Sequence, residues 1–497
     1  MKLYQIDKRD TVVIAIEDIG AGQTLAVADT TLTTAEPIPR GHKVALTDMP
    51  KGASIIKYGN AIGEAAEDIH KGQWVHTHNT ISHADDLRKF TYQFDPEKVI
   101  LPGAALRTFQ GYRRPAGQVG IRNYILVISG VFCANSHIRQ IVRRVEKKCP
   151  KCENFDGFLP LTHECGCGQE GQDLENVRRA LAGLMQNGNV GGILFVEVGC
   201  EINYFETIQQ YMDAFDETRF RRVTMQLEED EYAAAEKALM ELYEIVKADR
   251  RTPCPLSDLH IGANCGGSDG FSGLTANKMV GEFAEYLVKN GGTFTITEVT
   301  EMFGAEQILM NRAINQEIFR KIEQLITRQR DYILRYGGTA NGNPSYGNKQ
   351  GGITTIEDKS LGCVQKGGRC AVSDVVFYGE RVRVKGFNLV QGPGSDLVGV
   401  TAQIVAGAVM EIFTTGRGTP VAFAAPTIKV ATNTPVFEKK RSWMDFNAGE
   451  LINGEDMEQL LSGFIDLILR AASGAYETSN ERMGFYEIAF QRDGVIL

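Results

Sequence analysis

Three different alternations of apolar and polar positions divide the chain. In residues 1–105, short β-branched runs, TVVIAIE (Thr11–Glu17) and ASIIKYG (Ala53–Gly59), stand between glycine turns, which predicts a small β-rich unit. A weak repeat runs through it: DIGAG (Asp18–Gly22), DMPKG (Asp48–Gly52) and DIHKG (Asp68–Gly72) each precede a β-prone run. Asp85–Pro102 reads as a connector. Between 106 and 250, NYILVISGVF (Asn123–Phe132) and GGILFVEVG (Gly191–Gly199) are continuous apolar runs of buried-strand type. Between them Ile138, Ile141, Val142 and Val145 recur at helical spacing, and Tyr232–Val246 is amphipathic. Residues 251–497 repeat the alternation, with strands in Leu259–Cys265, Thr293–Val299 and Asp374–Gly379. Helices are predicted over Ala305–Arg335, Val398–Ile412 and Met457–Ala472. The expectation is an α/β fold: a β-rich domain (1–105), then two Rossmann- or flavodoxin-like α/β domains (106–250 and 251–497) with mostly parallel sheets.

One stretch has neither period. Asn341–Gly368 (NGNPSYGNKQGGITTIEDKSLGCVQKGG) is rich in Gly, Asn and Lys, and an irregular segment of that length inside a domain points to a binding loop. Lys349, Lys359 and Lys366 supply charge for a small anion, and Gly351 and Gly352 let backbone N–H groups come close.

Composition narrows the function. With 497 residues the chain exceeds one hydrophobic core. A net charge of −9 argues against a nucleic-acid or membrane-surface partner. No apolar run reaches membrane-spanning length, and the N-terminus lacks a signal-type apolar core, so a cytoplasmic location is expected. The ten cysteines then read as thiols or metal ligands rather than disulfides. Cys149, Cys152, Cys165 and Cys167 have spacing that suits zinc or an iron–sulfur cluster. Cys133, Cys200 and Cys265 sit at strand ends, where a parallel sheet places its ligands. No nucleotide-binding glycine motif, serine-esterase elbow or zincin motif is present. On a strand, His76 and His78 of WVHTHN would share a face, and paired imidazoles suit Fe, Zn or Mn.

RGHKVALTD (Arg40–Asp48), IKYG (Ile56–Gly59), VHTHN (Val75–Asn79), GIRN (Gly120–Asn123), CGGSDGFSG (Cys265–Gly273), TEVTEMFGAEQ (Thr297–Gln307), GNKQGGITTIEDKSLGC (Gly347–Cys363), GRGTP (Gly416–Pro420) and WMDFNAG (Trp443–Gly449) resemble, in order, the altronate and galactarate dehydratases of sugar-acid catabolism. The residues around Cys363 lean toward the altronate branch. The resemblance implies an N-terminal SAF domain and loss of water from D-altronate to give 2-keto-3-deoxy-D-gluconate, with Fe2+ as activator. Mn2+ and an iron–sulfur cluster are the alternatives. Removing the C2 hydrogen creates a dianionic enediolate, so such a site needs a carboxylate clamp, a cation, a base and an acid. On that basis His76, His78 and Glu301 are candidate metal ligands, and Lys349 and Lys359 candidate bases. Arg122 and Arg417 are the carboxylate clamps, with Asn123 and Asp269 as hydroxyl contacts. The expected partner is a small sugar acid, and the expected assembly a homodimer. Galactarate dehydratase and sulfolactate sulfo-lyase are rival activities; a non-catalytic sugar-acid sensor is the rival of another class.

Overall fold

The computed structural model describes residues 2–27, 30–86, 89–213 and 215–493; Leu87 and Arg88 of the expected connector lie outside them. The first region is all β. Its main sheet is antiparallel in the order 3–4, 12–15, 43–45, 74–75, beside the hairpin 24–27/30–33 and a second sheet of 54–57, 60–65 and 80–81. The repeated turns do one job three times. Asp18 accepts from the N–H of Arg40, Asp48 from that of Lys71, and Asp68 from that of Lys51. Each turn closes on a glycine at positive φ (Gly22, Gly52, Gly72) and leads into a strand (24–27, 54–57, 74–75), as the repeat predicts.

Both later regions are built on parallel sheets, as the alternation predicts. The middle one has four strands in the order 157–160, 124–128, 190–197, 220–224. Its two faces carry separate apolar layers, one under Asn135–Val145 and Glu231–Val246, the other under Gly171–Met185. The last has seven strands in the order 372–376, 386–390, 293–296, 260–265, 410–415, 427–431, 446–447. Among the described residues no helix is long and apolar enough to cross a membrane.

Two elements differ from expectation. The helix expected over Val398–Ile412 is Asp396–Ala406, ended by Gly407 in the left-handed region (φ +117), and Met410–Thr415 is a strand. The run is apolar on every face because it joins two buried elements, and periodicity cannot divide such a run. The segment 341–368 is no open loop: it holds helices Tyr346–Gln350 and Ile356–Cys363 and a 3-10 turn, Val364–Gly367. All eight residues of Ile356–Cys363 are buried, so the helix shows no amphipathic period.

This segment is the seam between the β domain and the large sheet. Lys43 and Lys57 both reach Asp358, each at 2.8 Å and all buried. The Lys43 ammonium also donates to the Gly352 carbonyl at 2.7 Å, and Gly270 N–H to the Gly351 carbonyl at 2.7 Å. The carbonyl of Gly41 sits in a notch between glycines: a Cβ on Gly270 would lie 2.0 Å from it, and one on Gly352 2.1 Å.

Candidate active site

Two neighbouring parallel strands, His260–Cys265 and Thr293–Ile296, release their chains at one sheet edge. They deliver Cys265, and the turn that carries Glu298 and Glu301. Helix Ile356–Cys363 crosses above and brings Lys359 and Cys363; the 3-10 turn after it brings Lys366. Cys265, Glu298, Glu301 and Cys363 are buried with ligand atoms all within 4.8 Å of one another, a spacing that could hold a metal ion. Lys366 Nζ lies 2.5 Å from Glu298 Oε2, 3.0 Å from Cys265 Sγ and 3.1 Å from Cys363 Sγ. Lys359 Nζ lies 2.6 Å from Glu301 Oε1 and donates to Asn343 Oδ1 at 3.0 Å and Asn348 Oδ1 at 3.3 Å. Glu298 is held at φ +66, ψ 53, a left-handed conformation that costs a non-glycine residue energy and concentrates at functional sites.

Charge is finely distributed here. The hydrogen bond shared with Cys363 pulls the Cys265 thiol well below its ordinary range; burial opposes this, and Lys366 and Lys359 reinforce it. Cys363 is pushed up by the same bond and by burial. Burial raises Glu298 and Glu301, with the Cys265 charge adding to both and the lysines opposing. Burial disfavours the charge on Lys359 and Lys366, but the facing anions outweigh it and both ammoniums rise. Asp396, half-buried at the start of helix Asp396–Ala406, is pushed up to about 7, by burial first and then by Glu301 and Cys265. Asn264 Nδ2 donates to it at 3.3 Å, and it packs so closely on Gly266 that a Cβ there would lie 2.3 Å from its Oδ2. The site therefore combines two buried cations, a cysteine thiol held below its ordinary range, and a carboxyl pushed up to about 7.

The structure gathers only some of the expected residues. Glu301 and Lys359 are in the cluster, and Asp269 lines the same small cavity with Lys57, Cys265 and Lys359. Asp269 accepts from Ser272, Thr432, Asn433 and the Phe271 N–H, so it holds the glycine-rich turn. Lys359 stays protonated against Glu301, which suits it to stabilise an anion rather than to act as the expected base. Lys349 is half-buried without an ion pair to any described residue. Arg417 is exposed, 3.3 Å from Gln350 Oε1.

Arg122 and Asn123 belong elsewhere, before the strand Tyr124–Ile128 of the middle sheet. All five N–H groups of Arg122 are used: two meet Glu481 at 2.6 and 2.9 Å, and the rest meet the carbonyls of Ile121, Ala471 and Tyr476. No N–H remains for a substrate carboxylate. Asn123 is likewise spent on Arg114, Asn154 and Val246.

The expected histidine pair is not on a strand. The strand ends at Val75, and both residues fall in the turn after it. His76 is buried, stacked on Trp74 and 3.2 Å from Thr354 Oγ1, while His78 is exposed; neither is among the four clustered donors. Burial, with Lys43 and His42, lowers His76 to about 3. Between pH 6.5 and 3 the unfolded chain therefore binds one more proton at this residue, and stability falls as pH falls. Denaturant unfolding at stepped pH should show this slope, and His76→Phe should flatten it.

Cys149 and Cys165 pack on opposite faces of the middle sheet, so the four-cysteine constellation is not assembled. Cys265 joins Cys363, not Cys133 or Cys200. Sequence reasoning gave Asp396 no role, although the stretch QGPGSD (Gln391–Asp396) carries a signal: a glycine turn between a strand and a helix.

Three family models match in order: Altronate/galactarate dehydratase SAF domain over residues 1–83, D-galactarate dehydratase/Altronate hydrolase second domain over 111–247, and D-galactarate/Altronate dehydratase C-terminal over 256–496. The altronate dehydratase of Escherichia coli (strain K12) is 43% identical over 498 residues, covering 100% of both chains. That of Bacillus subtilis (strain 168) is 41% identical over 496 residues, 99% of each. The galactarate dehydratase (L-threo-forming) of Escherichia coli (strain K12) is 32% identical over 498 residues, 97% of this chain and 95% of that one.

Proposed function

The chain belongs to the altronate/galactarate dehydratase family, and on that footing we propose that it converts D-altronate to 2-dehydro-3-deoxy-D-gluconate and water at the Cys265–Glu301–Lys359 cluster. The observation that carries the assignment to this site is the meeting of four clustered donors and two buried ammoniums, with the Asp396 carboxyl beside them pushed up to about 7 by burial. Asp396 takes the C2 proton. Lys359, held by Asn343 and Asn348, offsets the charge that builds on the substrate carboxylate as the enediolate forms. The C3 hydroxyl leaves as water when a proton returns to it, and the enol relaxes to the ketone. Lys349, on the short helix Tyr346–Gln350, and Arg417, which follows the strand Met410–Thr415 and meets Gln350 of that helix, are the proposed contacts for the substrate's polar end.

The donor set also fits a divalent ion, which we take to be iron(II): thiolates and carboxylates together, at single-ion spacing. Cys265, Cys363, Glu298 and Glu301 would hold it, with the buried Lys366 ammonium giving up its contacts to Glu298, Cys265 and Cys363. The ion would supply Lewis-acid charge for the enediolate. Galactarate, a diacid, needs one more cationic contact than D-altronate.

Anaerobic turnover of the two acids tests the reading. D-altronate should be the better substrate. Cys265→Ser should lose sulfide-free iron and about 10²-fold or more in kcat, the scale of losing an electrostatic contact to the developing charge. Turnover of neither acid would overturn the assignment, and undiminished activity in Cys265→Ser would move the reaction to another site.

A further inference from the structure

Cysteine is among the residues most often buried, yet four free thiols here are exposed: Cys133, Cys152, Cys167 and Cys200. Three of them come together by topology. The strands Gly157–Pro160, Tyr124–Ile128 and Val190–Glu197 are adjacent and parallel in that order, so their chains leave at the same edge. Cys167, Cys133 and Cys200 lie in the segments that follow them, one from each of three strands about 4.8 Å apart. Cys152 precedes its strand and lies at the opposite edge.

The three segments interlock. The Phe132 N–H donates to the Cys165 carbonyl at 2.9 Å, and Asn203 Nδ2 to the Gly130 carbonyl at 3.3 Å. A Cβ on Gly166 would lie 1.9 Å from the Gly130 carbonyl oxygen, and one on Gly130 1.9 Å from that of Asn203. These contacts hold three backbones at distances only glycine permits. Gly166 and Gly168 flank Cys167, and Gly199 precedes Cys200, all at positive φ (+99, +67, +116). Such turns present successive N–H groups to anionic ligands. A cleft of about 740 Å³ opens beside Cys165, lined by Asn135, Arg139, Arg143 and Arg492 among others, but not by the three exposed thiols themselves.

The ligand class follows from spacing. The three sulfurs do not share the 4.8 Å separation that marks the Cys265 cluster, so they do not suit one ion. A polynuclear cluster, each of whose irons takes one thiolate, bridges a wider gap. We propose that Cys133, Cys167 and Cys200 hold a four-iron iron–sulfur cluster at the carboxyl edge of the middle sheet. Ferrous and ferric iron with sulfide build it, and each thiol loses its proton to solvent as its sulfur bonds an iron. One iron is left without a cysteine and takes an oxygen ligand.

The test uses the full chain, reconstituted anaerobically with iron salts and sulfide, then desalted. Acid-labile sulfide, iron and the visible charge-transfer absorption are measured on parent, Cys133→Ser, Cys167→Ser, Cys200→Ser, Cys152→Ser and Cys265→Ser, with circular dichroism to show that each is folded. The proposal expects stoichiometric sulfide in the parent and in the Cys152 and Cys265 variants, and loss of most of it in each of the other three. It is overturned by a parent that holds no sulfide, by the three variants keeping theirs, or by loss at Cys265→Ser alone. Because the iron assigned to Cys265 carries no sulfide, the two sites fail independently.

Discussion

Asp396→Asn lowers kcat for D-altronate dehydration by about 10²–10⁴-fold, the usual worth of a positioned general base, while the unfolding midpoint hardly moves. The substitution keeps the size of the side chain and its contact with Asn264, and removes only the ability to accept a proton. The pH dependence separates this from a loss of shape. A base must be ionised, and this carboxyl is raised to about 7. Parent kcat/KM therefore rises with pH up to about 7 and levels above it, whereas the residual activity of the variant lacks that limb. An Asn variant within a few-fold of the parent would pass the role to Lys349.

The second large effect is on stability. Arg122→Met strips the ion pair from the buried Glu481 carboxylate, leaving only the Tyr124 hydroxyl on Oε1 and Thr478 on Oε2. Removing one member of such a pair costs about 3–5 kcal/mol. Arg122→Lys recovers little, because an ammonium cannot reproduce the five-donor fork that also holds three carbonyls. Denaturant midpoints measure the loss, and kcat per folded molecule should stay near the parent value. Unchanged stability with a large rise in KM would instead make Arg122 a substrate clamp.

The architecture was legible because its strands are written as uninterrupted apolar runs, such as Tyr124–Ile128 and Val190–Glu197, which only a doubly covered parallel sheet accommodates. The site was legible in part. Lys359 and Glu301 lie in stretches whose polar residues have no role in a periodic pattern. Arg122 looked the same in sequence, and only its five filled donors reveal a structural residue. Helix Ile356–Cys363 was hidden because covering a helix on every side erases its period. Cys265, Cys363 and Asp396 come from three distant segments, and no spacing along the chain reports their meeting. The histidine pair was misplaced by carrying a strand past Val75, where the period of two stops applying.

The notch that receives the Gly41 carbonyl has a consequence for how this protein can vary. Gly270 and Gly352 touch that oxygen with bare backbone, so a single methyl at either position is a wedge under the β domain. Lifting the domain draws Lys43 and Lys57 away from Asp358 and leaves three charges stranded in a dry interface. An alanine that carries no charge and touches no ionisable group would thus behave as an electrostatic mutation. At Gly270 that damage would ease on making room for the methyl, not on restoring any charge; at Gly352 the left-handed φ of +100 adds a strain that no extra room relieves.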